Sequence, residues 1–141
     1  MWQAQDKAMT IALTGGAGFV GRRLLEQLGN AGHSIQALQN KTPLPAVPGV
    51  TPVYGRLDDT CAMYDLVQGC DTLVHIAGLV AAPRRRDFHA VNAEATGKLI
   101  AAARDSGVKR VLLISSLAAR RPEISPYAAS KYGGEQALER E

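Results

Sequence analysis

Cysteine, long apolar runs and an imbalance of charge are all scarce in this 141-residue sequence. The two cysteines, Cys61 and Cys70, and the three scattered histidines show no zinc spacing, which argues against a disulfide scaffold or a metal centre. A reducing, cytoplasmic setting is the default. The longest apolar stretch, Leu73 to Ala82, is broken by His75 and is too short to span a bilayer. The opening Met1-Trp2-Gln3-Ala4-Gln5-Asp6-Lys7 lacks the apolar core of a secretory signal. Sixteen Lys and Arg against thirteen Asp and Glu leave only +3, spread along the chain, so there is no electrostatic footprint for nucleic acid. Neither a membrane nor a nucleic acid is expected as a partner; a small molecule is. A homo-oligomer stays open. No internal repeat, low-complexity tract or linker divides the chain.

What is present is an ordinary globular composition, 46% hydrophobic and 21% charged, with the length of a single domain over residues 1–141. Short apolar runs alternate with helical patterns. Met9–Leu13 reads as a strand. Val20, Leu24, Leu25 and Leu28 follow at helical spacing, and Gly32 ends that helix. Further strands are expected at His33–Leu38, near Val53, at Leu73–Ile76 and at Val111–Ile114. The four prolines between Pro43 and Pro52 indicate a loop. Helices are expected around Met63–Val67, over roughly Ala93–Ser106, and from an N-cap at Ser125-Pro126 toward Glu141. The fully apolar Val111–Ile114 suits a strand buried on both faces. Together these predict a doubly wound α/β fold with about five parallel strands.

Thr14-Gly15-Gly16-Ala17-Gly18-Phe19-Val20-Gly21 joins the first strand to the first helix. Glycine alone adopts such tight turns cheaply, and the helix that follows points its free amides and positive dipole end at the loop. This is the context in which a glycine loop holds a pyrophosphate. Downstream, Tyr127-Ala128-Ala129-Ser130-Lys131 sets Tyr and Lys four apart, on one face of a helix. A free phenol titrates at about 10, and a neighbouring ammonium lowers that value toward usable general acid/base chemistry. A hydrolase reading lacks its nucleophile elbow, since no G-x-S-x-G occurs.

The GxxGxxG loop and the Tyr-x-x-x-Lys pair after Ser115-Ser116 resemble the short-chain dehydrogenase/reductase superfamily, in its extended, epimerase/dehydratase-like and atypical branches. That resemblance covers nearly the whole chain and implies a Rossmann-like fold with its strands in the order 3-2-1-4-5. It implies catalytic roles for Ser116 (with Ser115 as the fallback), Tyr127 and Lys131. It implies cofactor contacts from Gly15, Gly18, Phe19, Val20, Gly21, Lys41, Leu57, Ala77, Gly78, Asn92 and Lys131. His75-Ile76-Ala77-Gly78 resembles the segment lining the cofactor, with His75 itself read as a core residue. Val91-Asn92-Ala93 resembles the segment whose Asn supports the active site. Arg56 departs from the family, which tends to carry Asp there, and Asp59 matches the acid that opens the next helix.

The second strand ends Ala37-Leu38-Gln39-Asn40-Lys41, without the acid that usually holds the ribose of NAD. Lys41, or Arg22, could instead meet the 2′-phosphate of NADP, so NADP is favoured over NAD; both residues could equally be solvated surface charges. Arg84-Arg85-Arg86 is either an anion contact or a solvated loop. The expected activity is NAD(P)-dependent hydride transfer at a carbonyl or alcohol. Alternatives are a nucleotide-sugar epimerase or dehydratase and, in another class, a non-catalytic dinucleotide-binding sensor or assembly subunit. The resemblance also implies a further C-terminal substrate lobe, making this the N-terminal part of a longer enzyme.

Overall fold

The computed structural model describes residues 7–141; the rest of the opening stretch read above for an export signal lies outside them. Five parallel strands, β1 (Thr10–Thr14), β2 (Ser34–Gln39), β3 (Val50–Tyr54), β4 (Thr72–His75) and β5 (Arg110–Leu113), form one sheet in the order β3-β2-β1-β4-β5. The expected strand order is therefore the observed one. Helices α1 (Phe19–Asn30), α2 (Thr60–Val67), α3 (Arg85–His89), α4 (Thr96–Asp105) and α5 (Pro126–Glu139) occupy its connections and its end. Side-chain alternation in β1 sorts the core into two layers. Ile11 and Leu13 join Leu25, Ile35 and Val74 under α1. Ala12 faces the other way, with Met63, Leu66, Leu73, Leu99 and Ala103 beneath α2 and α4.

Both anticipated caps are in place. Asp59 accepts hydrogen bonds from the amides of Cys61 and Ala62 at the start of α2, and Ser125 accepts one from Ala128 at the start of α5, with Pro126 in the first turn. Gly32 and Gly107, which close the turns after α1 and α4, sit at φ of +84° and +81°.

Three expectations need correction. The proline-rich loop ends sooner than expected, because Pro52 lies inside β3; as an edge strand, β3 can spare the amide that proline lacks. The helix placed at Ala93–Ser106 begins earlier, since α3 runs through a π-helical turn at Ala90–Ala95 directly into α4. Arg85 and Arg86 therefore open a helix rather than sit in a loop.

The third correction concerns β5, which is not buried on both faces. Leu112 is 53% exposed and Ile114 38%, because α5 folds back against the π-turn and α4 and leaves the α1 side of this strand bare. Ile11, Val20, Leu24, Val74, Leu112 and Ile114 line the resulting apolar depression of about 770 Å³. This asymmetry has a measurable consequence. Leu25→Ala, at a fully buried position on the inner face of α1, should cost about 2–5 kcal/mol in urea unfolding, and Leu112→Ala well under half as much. Equal losses would mean that the β5 face is covered in solution.

Candidate dinucleotide-binding site

The order of the sheet reverses between β1 and β4, the position where open α/β sheets form their ligand crevice. A cleft of about 640 Å³ lies there. The whole Gly15–Gly21 turn forms its floor, Leu38, Asn40, Lys41, Thr42 and Leu57 lie on one side, and Ile76, Ala77 and Gly78 on the other. The structure thus gathers nearly all the residues expected to contact a cofactor: Gly15, Gly18, Phe19, Val20, Gly21, Lys41, Leu57, Ala77 and Gly78.

The glycines are required by specific contacts. Gly15 adopts φ +77°, and a β-carbon there would stand 2.7 Å from the Ala77 amide nitrogen. A β-carbon on Gly21 would overlap the Gly15 carbonyl oxygen, so this glycine serves the turn's own closure rather than helix–strand packing. Gly18 is the N-cap of α1, and no side chain caps that helix, whereas α2 and α5 carry Asp59 and Ser125. The first-turn amides of α1 are left facing the cleft, an arrangement suited to an anion. The floor, the small-residue wall and the uncapped helix end fit a dinucleotide pyrophosphate.

Asn92 and Lys131 stand behind Gly78, and Tyr127 lies one turn before Lys131 on α5. Asn92 is 3% exposed within the π-turn, a type of helical irregularity frequent at functional sites. Its side chain accepts from the Leu79 amide (2.8 Å) and donates to the Leu79 carbonyl (2.9 Å) and to Ser130 Oγ (3.0 Å). Ser130 in turn donates to the Tyr127 carbonyl at 2.7 Å. Asn92 therefore ties the loop after β4 to the helix that carries Tyr127 and Lys131. Sequence reasoning found Asn92 but missed Ser130, whose burial and partners leave no mark in the sequence beyond its place in the Tyr-x-x-x-Lys turn.

Lys131 is buried, and its Nζ donates to the Ile114 carbonyl at 2.9 Å; a β-carbon on Gly78 would be 3.8 Å from that nitrogen. Burial pushes its pKa below the usual lysine range, partly opposed by the Glu135 carboxylate. Tyr127 is half-buried, its ring edge-to-face with Phe88 of α3 at 6.1 Å and 70°. Ser116 Oγ accepts from the Ala118 amide at 3.2 Å, so its proton is still free to donate. Ser115 Oγ is buried without a partner among the described residues. Arg22 turns back onto the loop, donating to the Ala17 carbonyl at 2.8 Å. Arg56 forms a two-pronged pair with Asp58 at 2.8 and 2.9 Å. Arg84 pairs with Asp87 at 3.1 Å.

The model of the NAD dependent epimerase/dehydratase family matches residues 11–140. The chain belongs to that family. It is 37% identical over 138 residues to a ceramide reductase of Caulobacter vibrioides, covering 96% of this chain and 43% of that protein. It is 33% identical over 116 residues to a 3-beta-hydroxysteroid dehydrogenase of Mycolicibacterium neoaurum, covering 75% of this chain and 31% of that one. Among solved structures, a short-chain dehydrogenase/reductase superfamily protein of Agrobacterium tumefaciens with bound NAD superposes with a TM-score of 0.81 at 29% identity, covering 92% of this chain and 44% of that one. MoeE5 in complex with UDP-glucuronic acid and NAD gives 0.80 at 25% identity, covering 92% and 48%. The chain spans less than half the length of each of these four relatives. Among the described residues no helix is long and apolar enough to cross a membrane.

Behind the cleft lies His75, 1% exposed and hydrogen-bonded to Thr14 Oγ1 at 2.6 Å and Thr96 Oγ1 at 2.9 Å. Burial, with the Lys131 charge a lesser cause, pushes its pKa down to about 4. An unfolded histidine titrates at about 6.5, so between those values the unfolded chain binds a proton that the folded one refuses. The stabilisation is complete at neutral pH and is lost as pH falls through that window, on the order of 3 kcal/mol in all. Between about pH 7 and about pH 5, urea unfolding of the native protein should therefore lose more stability than that of His75→Asn. Parallel pH profiles would show that His75 is not held neutral.

Proposed function

We propose that this chain is the dinucleotide-binding part of an NAD(P)-dependent oxidoreductase working on a carbonyl/alcohol pair, with Tyr127 as its acid/base. The observation that carries the reading is the placement of Lys131 against Gly78, at the wall of a cleft with a glycine floor and an uncapped helix end. A bound nicotinamide supplies or accepts the hydride. The chain's own residues handle the proton and the oxygen. Ser116 donates its free hydroxyl proton to the substrate oxygen, and Tyr127 delivers a proton to that oxygen or removes one. Lys131, hydrogen-bonded to the Ile114 carbonyl at the Gly78 wall, would hold the nicotinamide ribose. Asn92, through Leu79 and Ser130, keeps this helix in register with the cleft wall. The names of the two curated relatives, a reductase and a dehydrogenase, favour this chemistry. Transient oxidation of a sugar hydroxyl, as in an epimerase or dehydratase, is the second reading, supported by the sugar nucleotide in the MoeE5 complex.

For the cofactor, NADP is favoured. Asn40, Lys41 and Thr42 line the cleft at the end of β2, and no carboxylate is among the lining residues to repel a 2′-phosphate. The NAD held by the solved relatives supports the opposite choice, so the two dinucleotides must be compared directly.

Calorimetric titration of the chain with NADP and with NAD is the central test. Saturable binding of either supports the site, and no binding by folded protein removes it. Lys41→Ala should weaken NADP by roughly tenfold and leave NAD nearly unchanged, while equal losses would reverse the preference. In the full-length protein, Tyr127→Phe should abolish turnover while dinucleotide affinity stays within about threefold. Undiminished turnover would remove Tyr127 from the mechanism.

A further inference from the structure

We propose that His75 is a positioning residue of the cleft: as a neutral imidazole protonated on Nε2, it takes the Thr14 hydroxyl proton and so leaves both lone pairs of that oxygen to clamp the Ile76 and Ala77 amides beside the glycine turn. As a statement about cofactor binding, this rests on reading the cleft as a dinucleotide site.

The argument is a count of donors. Thr14 Oγ1 receives the amides of Ile76 and Ala77, each at 3.1 Å, the Ile76 amide being shared with the Thr14 carbonyl oxygen at the longer distance of 3.3 Å. A hydroxyl oxygen has two lone pairs, so both are engaged and its proton must go elsewhere. The remaining neighbour is His75 Nδ1 at 2.6 Å, which therefore accepts. The opposite tautomer would bring a third donor to an oxygen with two lone pairs and strand the hydroxyl proton inside the protein. With Nδ1 accepting, Nε2 carries the proton and donates to Thr96 Oγ1 on α4 at 2.9 Å. A protonated ring would fail in the same way.

The clamp holds the part of the cleft with least slack. Thr14 and His75 are register partners at the ends of β1 and β4, and the two strands turn away immediately beyond them. A β-carbon on Gly15 would already stand 2.7 Å from the Ala77 nitrogen. Movement of the Ile76–Ala77 amides therefore shifts the wall against the floor on which a pyrophosphate would rest. His75 does this from behind, without facing the cleft itself.

Long-range proton–nitrogen NMR of the 15N-labelled protein at neutral pH reads the tautomer directly, with His75→Asn assigning the signals. The expected result is a protonated Nε2 and a bare Nδ1; the reverse tautomer, or a ring averaging between the two, overturns the proposal. Amide exchange provides a second readout that needs no ligand. Thr14→Val should speed exchange at Ile76 and Ala77 more than at neighbouring strand amides, and uniform acceleration would mean that no clamp exists.

Binding of NADP and NAD then tests the consequence. His75→Asn keeps an acceptor where Nδ1 stood and should bind within about threefold of the native protein. His75→Gln moves its amide toward Thr96 and loses that acceptor, and both it and Thr14→Val should bind about tenfold more weakly. Thr14→Ser should restore binding. Equal affinity across the four variants overturns the positioning role. If the native protein binds neither dinucleotide, the reading of the cleft fails, while the tautomer and the exchange data still decide the clamp.

Discussion

The closeness of two turns governs this molecule. The chain leaves β1 at Thr14 and β4 at His75, and the Gly15 turn then runs against the Ala77 backbone with no room for a side chain between them. Parallel strands place their carboxyl ends side by side, so both turns must open in the same direction. Between β1 and β4, where the sheet order reverses, the connections on either side diverge and a crevice is left. The glycine floor, the uncapped end of α1 and the Ile76–Gly78 wall all follow from that one approach. Thr14 and His75 secure it with polar contacts in a layer that excludes water.

The second half of the site is assembled from a distance. Tyr127 and Lys131 belong to the helix that follows β5, a strand two places from β1 in the sheet. Their position relative to the cleft is set by close approach of α5 to the π-turn, where a β-carbon on Gly134 would stand 2.6 Å from the Asn92 carbonyl oxygen. It is also set by the hydrogen bonds that join Leu79, Asn92, Ser130 and Tyr127. The same folding of α5 toward α4 leaves one face of β5 bare. Position of the candidate acid/base helix and exposure of Leu112 and Ile114 are two results of one packing choice.

Charge has a small part in this arrangement. Arg23–Glu26, Arg56–Asp58 and Arg121–Glu123 are solvent-exposed pairs, each worth little against screening. The consequential polar groups are six of the buried ones: Thr14, His75, Asn92, Thr96, Ser130 and Lys131. Each of them is hydrogen-bonded to a neighbouring element or into the network that joins the cleft wall to α5. Burial raises the cost of leaving any of these groups unpaired, and so confers rigidity on the cleft side of the sheet.

The alternation of apolar runs with helical periods was enough to predict a doubly wound parallel sheet, because βαβ units are right-handed, while the strand order came from the resemblance carried by the glycine loop and the Tyr-x-x-x-Lys pair. The glycine loop was equally readable, since its requirement for positive φ and missing side chains is written in residue type. The caps at Asp59 and Ser125 were local and therefore legible. Four apolar residues in a row, by contrast, say nothing about which face a helix covers, and β5 was misread for that reason. The helix expected to begin at about Ala93 was started too late because a π-turn depends on partners such as Leu79 and Ser130, distant in sequence. His75 looked like a core residue and is one; only the fold brought Thr14 and Thr96 to its two nitrogens. Residue type and spacing determined the architecture and the glycine floor, because both are decided within a few residues of chain. Tertiary structure alone decided which polar groups meet inside, because a hydrogen bond between strand ends has no signature at either end.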